Sequence, residues 1–250
     1  MNTDNKQRET LPLGALLALA MTGFICIATE TLPAGLLPEI GSGLGVSAAL
    51  AGQMVTVYAL GSLLAAIPLT IATQSWRRRT VLLLTIVGFL VFNSVTALSS
   101  SYGLTLVARF FAGVSAGLAW SLIAGYARRM VVPQLQGRAL AVAMVGAPIA
   151  LSLGVPLGTW LGGLMGWRMA FGLMSAMTLM LIVWVLIKVP DYPGQSSSQR
   201  MALGEVFSRL AYARCSGLCS LGCWRTTFFI PMSLRSFPSQ GWPVTLIWYC

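Results

Sequence analysis

Charged residues divide the chain into long uncharged runs: residues 11–29, 41–76, 80–108, 110–127, 139–167 and 169–187. A helix needs about 20 apolar residues to cross a hydrocarbon core of about 30 Å. The pattern therefore predicts six membrane-spanning helices, at about 12–34, 49–72, 80–99, 104–126, 139–162 and 169–188. The run 41–76 is longer than one span requires and opens on GSGLGVS, so a loop is expected before its helix.

Within the spans, small residues recur at helical spacing. Span four carries Arg109, Gly113, Gly117, Ser121 and Gly125, four apart and hence on one stripe. Span five repeats the device with Gly146, Ala150, Gly154, Gly158 and Gly162. In lipid, apolar burial gives helices little reason to associate, and small residues let backbones approach closely enough for packing to do so. Pro148 and Pro156 each remove a backbone donor inside span five and predict a bend there.

Composition fits this picture. Of the 250 residues, 56% are hydrophobic and 9% charged, against about 25% charged in soluble domains. So few charges cannot clothe a water-facing surface, so lipid is the expected environment. The net charge of +10 would raise nucleic acid as a partner if it were clustered on one face. Instead it alternates by side. Lys6 and Arg8 precede span one, Arg77, Arg78 and Arg79 join spans two and three, Arg128, Arg129 and Arg138 join spans four and five, and Lys188 and Arg200 follow span six. The other loops hold no Lys or Arg except Arg168. This positive-inside arrangement predicts a multi-pass plasma membrane protein with a cytoplasmic N-terminus (residues 1–11). No nucleic-acid partner is needed. The Arg77–Arg79 cluster is most simply a topology anchor, and Trp160 and Trp167 suit the outer membrane interface. The first apolar run is longer than a cleavable signal and reads as a retained anchor.

Two charges stand inside the predicted spans: Glu30 in span one and Arg109 in span four. Charges at membrane depth normally face a partner or a wet cavity. Thr22, Cys26 and Glu30 share one helix face. Desolvation favours a neutral acid and a nearby cation favours a carboxylate, a competition that suits a proton carrier. Glu30 is thus a proton-coupling candidate, unless it is solvated at the outer interface or held in a structural ion pair. Arg109, about a turn inside span four, either snorkels to the surface or organises a polar network in a cavity. With no His, six acids and no glycine-rich phosphate loop, nothing assembles a site for hydrolysis or group transfer. Cys215, Cys219 and Cys223 have neither a CxxC pair nor a His beside them, so neither a metal nor another cofactor is expected.

After span six, residues 189–205 read as a polar Pro/Gly/Ser linker. Residues 206–250 are rich in Cys, Trp and Arg and follow neither a helical nor a strand period.

Several stretches resemble the N-terminal half of a major facilitator superfamily transporter of the drug/sugar efflux, proton-antiporter branch. TETLPAGLLPEIGSGLGVS resembles the end of its span one, RFFAGVSAGLAWSLIAGYA its span-four motif with Arg109 at the basic position, GAPIALSLGVPLGTWLGG its antiporter motif, and GWRMAF the start of span six. The loop between spans two and three departs: PLTIATQSWRRRTVLL keeps the basic residues but lacks the family's aspartate. The resemblance covers about residues 10–190. It implies an all-α membrane protein in which six transmembrane helices form one major-facilitator-type bundle of two inverted three-helix repeats, followed here by an irregular C-terminal tail. It further implies a transporter rather than an enzyme, with membrane lipid, a proton and a small-molecule substrate, sugar or drug, as partners. Glu30 then stands at the protonation site, Arg109 in the cavity network, and Gly154, Pro156, Gly158 and Gly162 in the antiport bend, with Gly113 and Gly117 packing helices. The family has twelve spans and this chain offers six. Three expectations follow: a half whose second part a frameshift or premature end has replaced, a non-transporting remnant, or a half-transporter that dimerises.

Overall fold

The computed structural model describes residues 11–194, all of whose regular structure is helical. The predicted linker beyond residue 194, the Cys/Trp/Arg-rich tail and the N-terminal ten residues lie outside the described residues.

Six stretches are long and apolar enough to cross a membrane: span one Leu13–Gly35, span two Ala48–Ala72, span three Arg78–Leu98, span four Tyr102–Arg129, span five Pro133–Met165 and span six Trp167–Lys188. Span two runs along span four, span six along span three, and span one touches spans two, four, five and six. Large apolar side chains point away from the bundle, among them Leu63 (71% exposed), Met180 (72%) and Ile187 (70%). In water that surface would be a liability; in lipid it is solvated.

The junction of spans one and two differs from the expected loop. The Gly/Ser-rich stretch continues as a short helix, Leu37–Leu44, with Pro38 in its first turn, Glu39 near its N-terminus and Gly45 closing it at φ 66°. Each of these is a helix-boundary signal. Span two then starts from Ser47, whose hydroxyl accepts from the Leu50 N–H at 3.3 Å, an N-cap that serves one of the free first-turn donors. Spans five and six turn sharply at Gly166, whose φ of 89° suits a residue without Cβ.

Span five is not one helix. It begins as a short 3₁₀ turn at Pro133–Leu135, runs as α-helix over Gln136–Met144 and Gly146–Ile149, widens into a π turn at Ala150–Gly154, and resumes at Val155–Met165. Pro148 and Pro156 flank the π turn. The bend predicted from the two prolines takes this form because missing N–H groups free carbonyls that an i→i+5 pattern re-pairs.

Two apolar clusters fill the bundle. One holds Leu16, Leu19, Ile86, Phe89, Ile123 and Val185; the other holds Leu32, Leu36, Ile40, Met54, Trp167 and Phe171. Trp167, expected at the membrane interface, is 5% exposed and packs edge-on against Phe171. Trp160 is 63% exposed.

Candidate functional site: a polar layer around Arg109

The two apolar clusters meet at a polar layer built by spans one to four and span six. Arg109 is its centre. It lies seven residues into the helix that starts at Tyr102, about 10 Å along the axis, and is 0% exposed. Snorkelling is therefore ruled out: the guanidinium stays in the bundle. Tyr58 covers one part of it, with the ring centroid 4.7 Å from Cζ, and Phe171 lies at 5.7 Å. Such aromatic faces attract a desolvated cation by about 2 kcal/mol. Nε donates to the Met54 carbonyl at 3.5 Å, a long bond, while Nη1 and Nη2 have no partner among the described residues.

Around it the side chains interlock across helices. The Tyr58 hydroxyl donates to the Cys26 carbonyl at 3.0 Å, tying span two to span one at a residue one turn before Glu30. On the neighbouring face, Asn93 of span three donates from Nδ2 to Thr29 Oγ1 at 3.1 Å, and its Oδ1 has no partner among the described residues. Glu30 itself is partly exposed. Span one continues to Gly35, so the acid lies within the helix and not at its end. Glu30 and Arg109 are within electrostatic reach of one another but form no direct salt bridge; the ion pair in the described residues is Arg77–Asp191.

The glycine stripes occupy two different interfaces. A Cβ on Gly113 would strike the Tyr58 backbone carbonyl, and one on Gly117 that of Ser62, both in span two. Gly61 of span two returns the approach against Phe110. Tyr58 reaches Arg109 and Cys26 because these glycines let the two backbones touch. Along span five, Gly158 faces the Leu32 side chain at 2.5 Å, Gly162 the Leu36 side chain at 2.7 Å, and Gly154 the Phe24 ring at 2.8 Å, measured from an ideal Cβ. Pro156 sits in the first turn after the π segment. Ser121 and Gly125, the rest of the span-four stripe, are exposed.

The basic cluster lies at the far end of the bundle and does not join this layer. Arg77 Nη1 pairs with Asp191 Oδ2 at 3.0 Å, but the Arg77 side chain is 77% exposed, where such pairs contribute about 0–1 kcal/mol. The Arg78 N–H donates to the Tyr192 carbonyl at 2.9 Å, and the Arg79 guanidinium to the Leu186 carbonyl. Tyr126 and Arg129 bond the Pro190 and Pro193 carbonyls. Residues 189–194 thus lie across the arginine-rich ends of spans three and four.

Sequence reasoning singled out Glu30 and Arg109 but not Tyr58, Thr29 or Asn93. Asn93 carried a signal: it is the one amide in the run 80–108, and polar groups at membrane depth are costly unless paired. Two surface grooves, of about 470 Å³ beside Met165 and Leu173 and about 430 Å³ beside Trp76, Val91 and Leu118, are apolar and lie away from the layer. Among the described residues no cluster of His, Cys, Asp and Glu could hold a metal.

A family model described as Major Facilitator Superfamily matches residues 19–249. The chain is similar to a purine ribonucleoside efflux pump of Escherichia coli O6:K15:H31, NepI, 34% identical over 195 residues that cover 78% of this chain and 49% of the pump. The Shigella sonnei protein of the same description is 33% identical over the same shares. The chain spans about half the length of the curated relatives it matches. Among solved structures, it resembles a POT family transporter in complex with 5-aminolevulinic acid (TM-score 0.64, 14% identity, 87% of this chain and 46% of that one). It also resembles the inward-open xylose transporter XylE from E. coli (TM-score 0.63, 15% identity, 71% and 48%). These two likenesses concern the fold. With six membrane-length helices, the relatives' sequence identity and the family match over most of its length, the chain belongs to the Major Facilitator Superfamily.

Proposed function

We propose that this chain forms one six-helix half of a proton-coupled exporter whose substrate is of the purine-nucleoside class. The observation that carries the reading is Arg109: a fully buried cation, walled by Tyr58 and Phe171, in the same layer as the partly exposed Glu30. A charge retained at that depth is costly and marks function in membrane bundles. The substrate class rests on the efflux pumps that are about a third identical to the chain over 195 aligned residues.

In this reading Glu30 carries the proton. Ionised, it is drawn toward the Arg109 guanidinium; protonated, it loses that attraction, and span one is freer to shift against span four. Span five is the neighbour that accommodates the shift, because Gly154, Gly158 and Gly162 face side chains of span one and Pro156 follows a π turn. A pump of this architecture rocks two six-helix bundles around a central site. The second bundle comes from a further segment or from a second copy of this chain. The arginine-rich loops lie on the cytoplasmic side, as the charge pattern implies.

Everted membrane vesicles containing the chain test this. An imposed proton gradient is expected to drive accumulation of a labelled purine ribonucleoside, and a protonophore or Glu30→Gln to abolish it. Uptake equal to that of vesicles lacking the chain, with both bundles verified in the membrane, overturns the reading.

A further inference from the structure

Three hydrogen-bonding atoms of two fully buried side chains go unused inside the bundle. A guanidinium carries five N–H donors; that of Arg109 uses Nε on Met54 and leaves both Nη groups unpartnered. Asn93 uses Nδ2 on Thr29 and leaves Oδ1 unpartnered. Both side chains are 0% exposed, so bulk solvent does not serve them. The other polar groups of the core do not share the deficit. Thr22, Thr85, Thr96 and Thr178 each donate to a carbonyl of their own helix, and Tyr58 donates to Cys26. Among the described residues the other unpartnered buried atoms, Glu39 Oε2 and Arg79 Nε, belong to partly exposed side chains, so among fully buried side chains the shortfall falls on Arg109 and Asn93. Asn93 is five residues from the end of its helix at Leu98, and Arg109 is seven from the facing end of its own at Tyr102, depths of about 8 and 10 Å.

The chemistry of the unused atoms selects the ligand. Nη1 and Nη2 are donors on a cation, whereas Oδ1 is an acceptor on a neutral amide. An anion satisfies the first and repels the second; a cation does the reverse. Water is both donor and acceptor, and buried waters gather at polar atoms that the fold leaves unsatisfied. Tyr58 and Phe171 lie against the guanidinium, while its Nη groups remain for a small ligand.

We infer that the bundle binds ordered water at the Nη edge of Arg109 and at Oδ1 of Asn93, and that this hydrated layer is part of the fold. The site uses spans three and four and does not depend on whether the chain transports anything.

Hydroxyl-radical footprinting by brief X-ray exposure of the whole chain in lipid nanodiscs reads this directly, because radicals made from bound water label the side chains beside it. Met54 and Tyr58 are both 0% exposed and touch Arg109. They are expected to label about tenfold faster, after correction for intrinsic reactivity, than the equally buried Leu19, which lies in an apolar surround. Asn93→Leu, which supplies an apolar side chain of similar size, is expected to lower labelling on Cys26, three residues before Asn93's partner Thr29 in span one, while leaving Leu19 unchanged. Labelling of Met54 and Tyr58 as slow as that of Leu19 overturns the inference.

Discussion

The two glycine stripes look alike in sequence and behave differently in space. In span four, Gly113 and Gly117 rest against backbone carbonyls of span two, and Gly61 reciprocates. In span five, Gly154, Gly158 and Gly162 rest against the side chains of Phe24, Leu32 and Leu36 in span one. Backbone cannot step aside without moving a helix; the end of a leucine side chain can rotate. One stripe therefore fixes a pair of helices, and the other, from Gly154 onward, leaves a pair that can readjust. The fixed pair carries Tyr58 and Arg109. The adjustable pair carries Glu30 and the π turn. A transporter built on this bundle would move at the second interface while the first holds its charge in register.

The sharpest way to break that contrast is Gly113→Ala. The added methyl would overlap the Tyr58 carbonyl and Cα region, forcing spans two and four apart and disturbing the aromatic wall over Arg109. Overpacking of this kind costs about 3 kcal/mol when backbone has to yield. The expected result is a large loss of monodisperse protein in detergent and a lowered thermal midpoint for what remains. A midpoint equal to wild type would show that the two helices are not locked at this point.

Gly146→Ala comes next and tests where the adjustable interface begins. Gly146 precedes the π turn, and its Cβ would meet the Ala20 carbonyl and the Phe24 nitrogen, backbone once more. Span five is thus pinned on one side of the π turn and free on the other. A cost of about 1–3 kcal/mol is expected, read by the same thermal midpoint. Gly158→Ala, beyond the turn, should cost less than about 1 kcal/mol because the Leu32 side chain can change rotamer. If Gly158→Ala destabilises as much as Gly146→Ala, the division of span five into pinned and adjustable parts fails.

Much of this was legible in the chain, for definite reasons. Six apolar runs specify six spans because lipid permits no other use of such lengths of uncharged sequence. Arg109 stood out as a charge in an apolar helix, and the glycine spacing marked both interfaces. What the stripes could not disclose is their partner: whether glycine meets backbone or side chain depends on Tyr58 and Ser62 in one case and on Leu32 and Leu36 in the other. The helix Leu37–Leu44 was hidden behind its Gly and Ser content, although Pro38, Glu39 and Gly45 each stood at a boundary position. The π turn leaves no periodic trace, since a single widened turn does not alter the pattern of apolar residues around it. Asn93 was passed over because its importance comes from Thr29, a contact 64 residues away in sequence.

The smallest expected effect concerns the part of the span-four stripe that touches neither interface. Gly125 continues the spacing of Gly113 and Gly117, yet an added Cβ would meet nothing within 4 Å among the described residues. Alanine is a better helix former than glycine by about 0.8–1 kcal/mol in an exposed helix interior. Gly125→Ala should therefore leave the thermal midpoint unchanged or raise it slightly, the opposite sign from Gly113→Ala only three turns away on the same stripe. That sign difference is the cleanest statement of the comparison, since the two substitutions are chemically identical and differ in what the new methyl meets. A loss of stability at Gly125 would instead mean that this face is covered in the membrane, by a second bundle or a second copy, and that the stripe is a packing surface along its whole length.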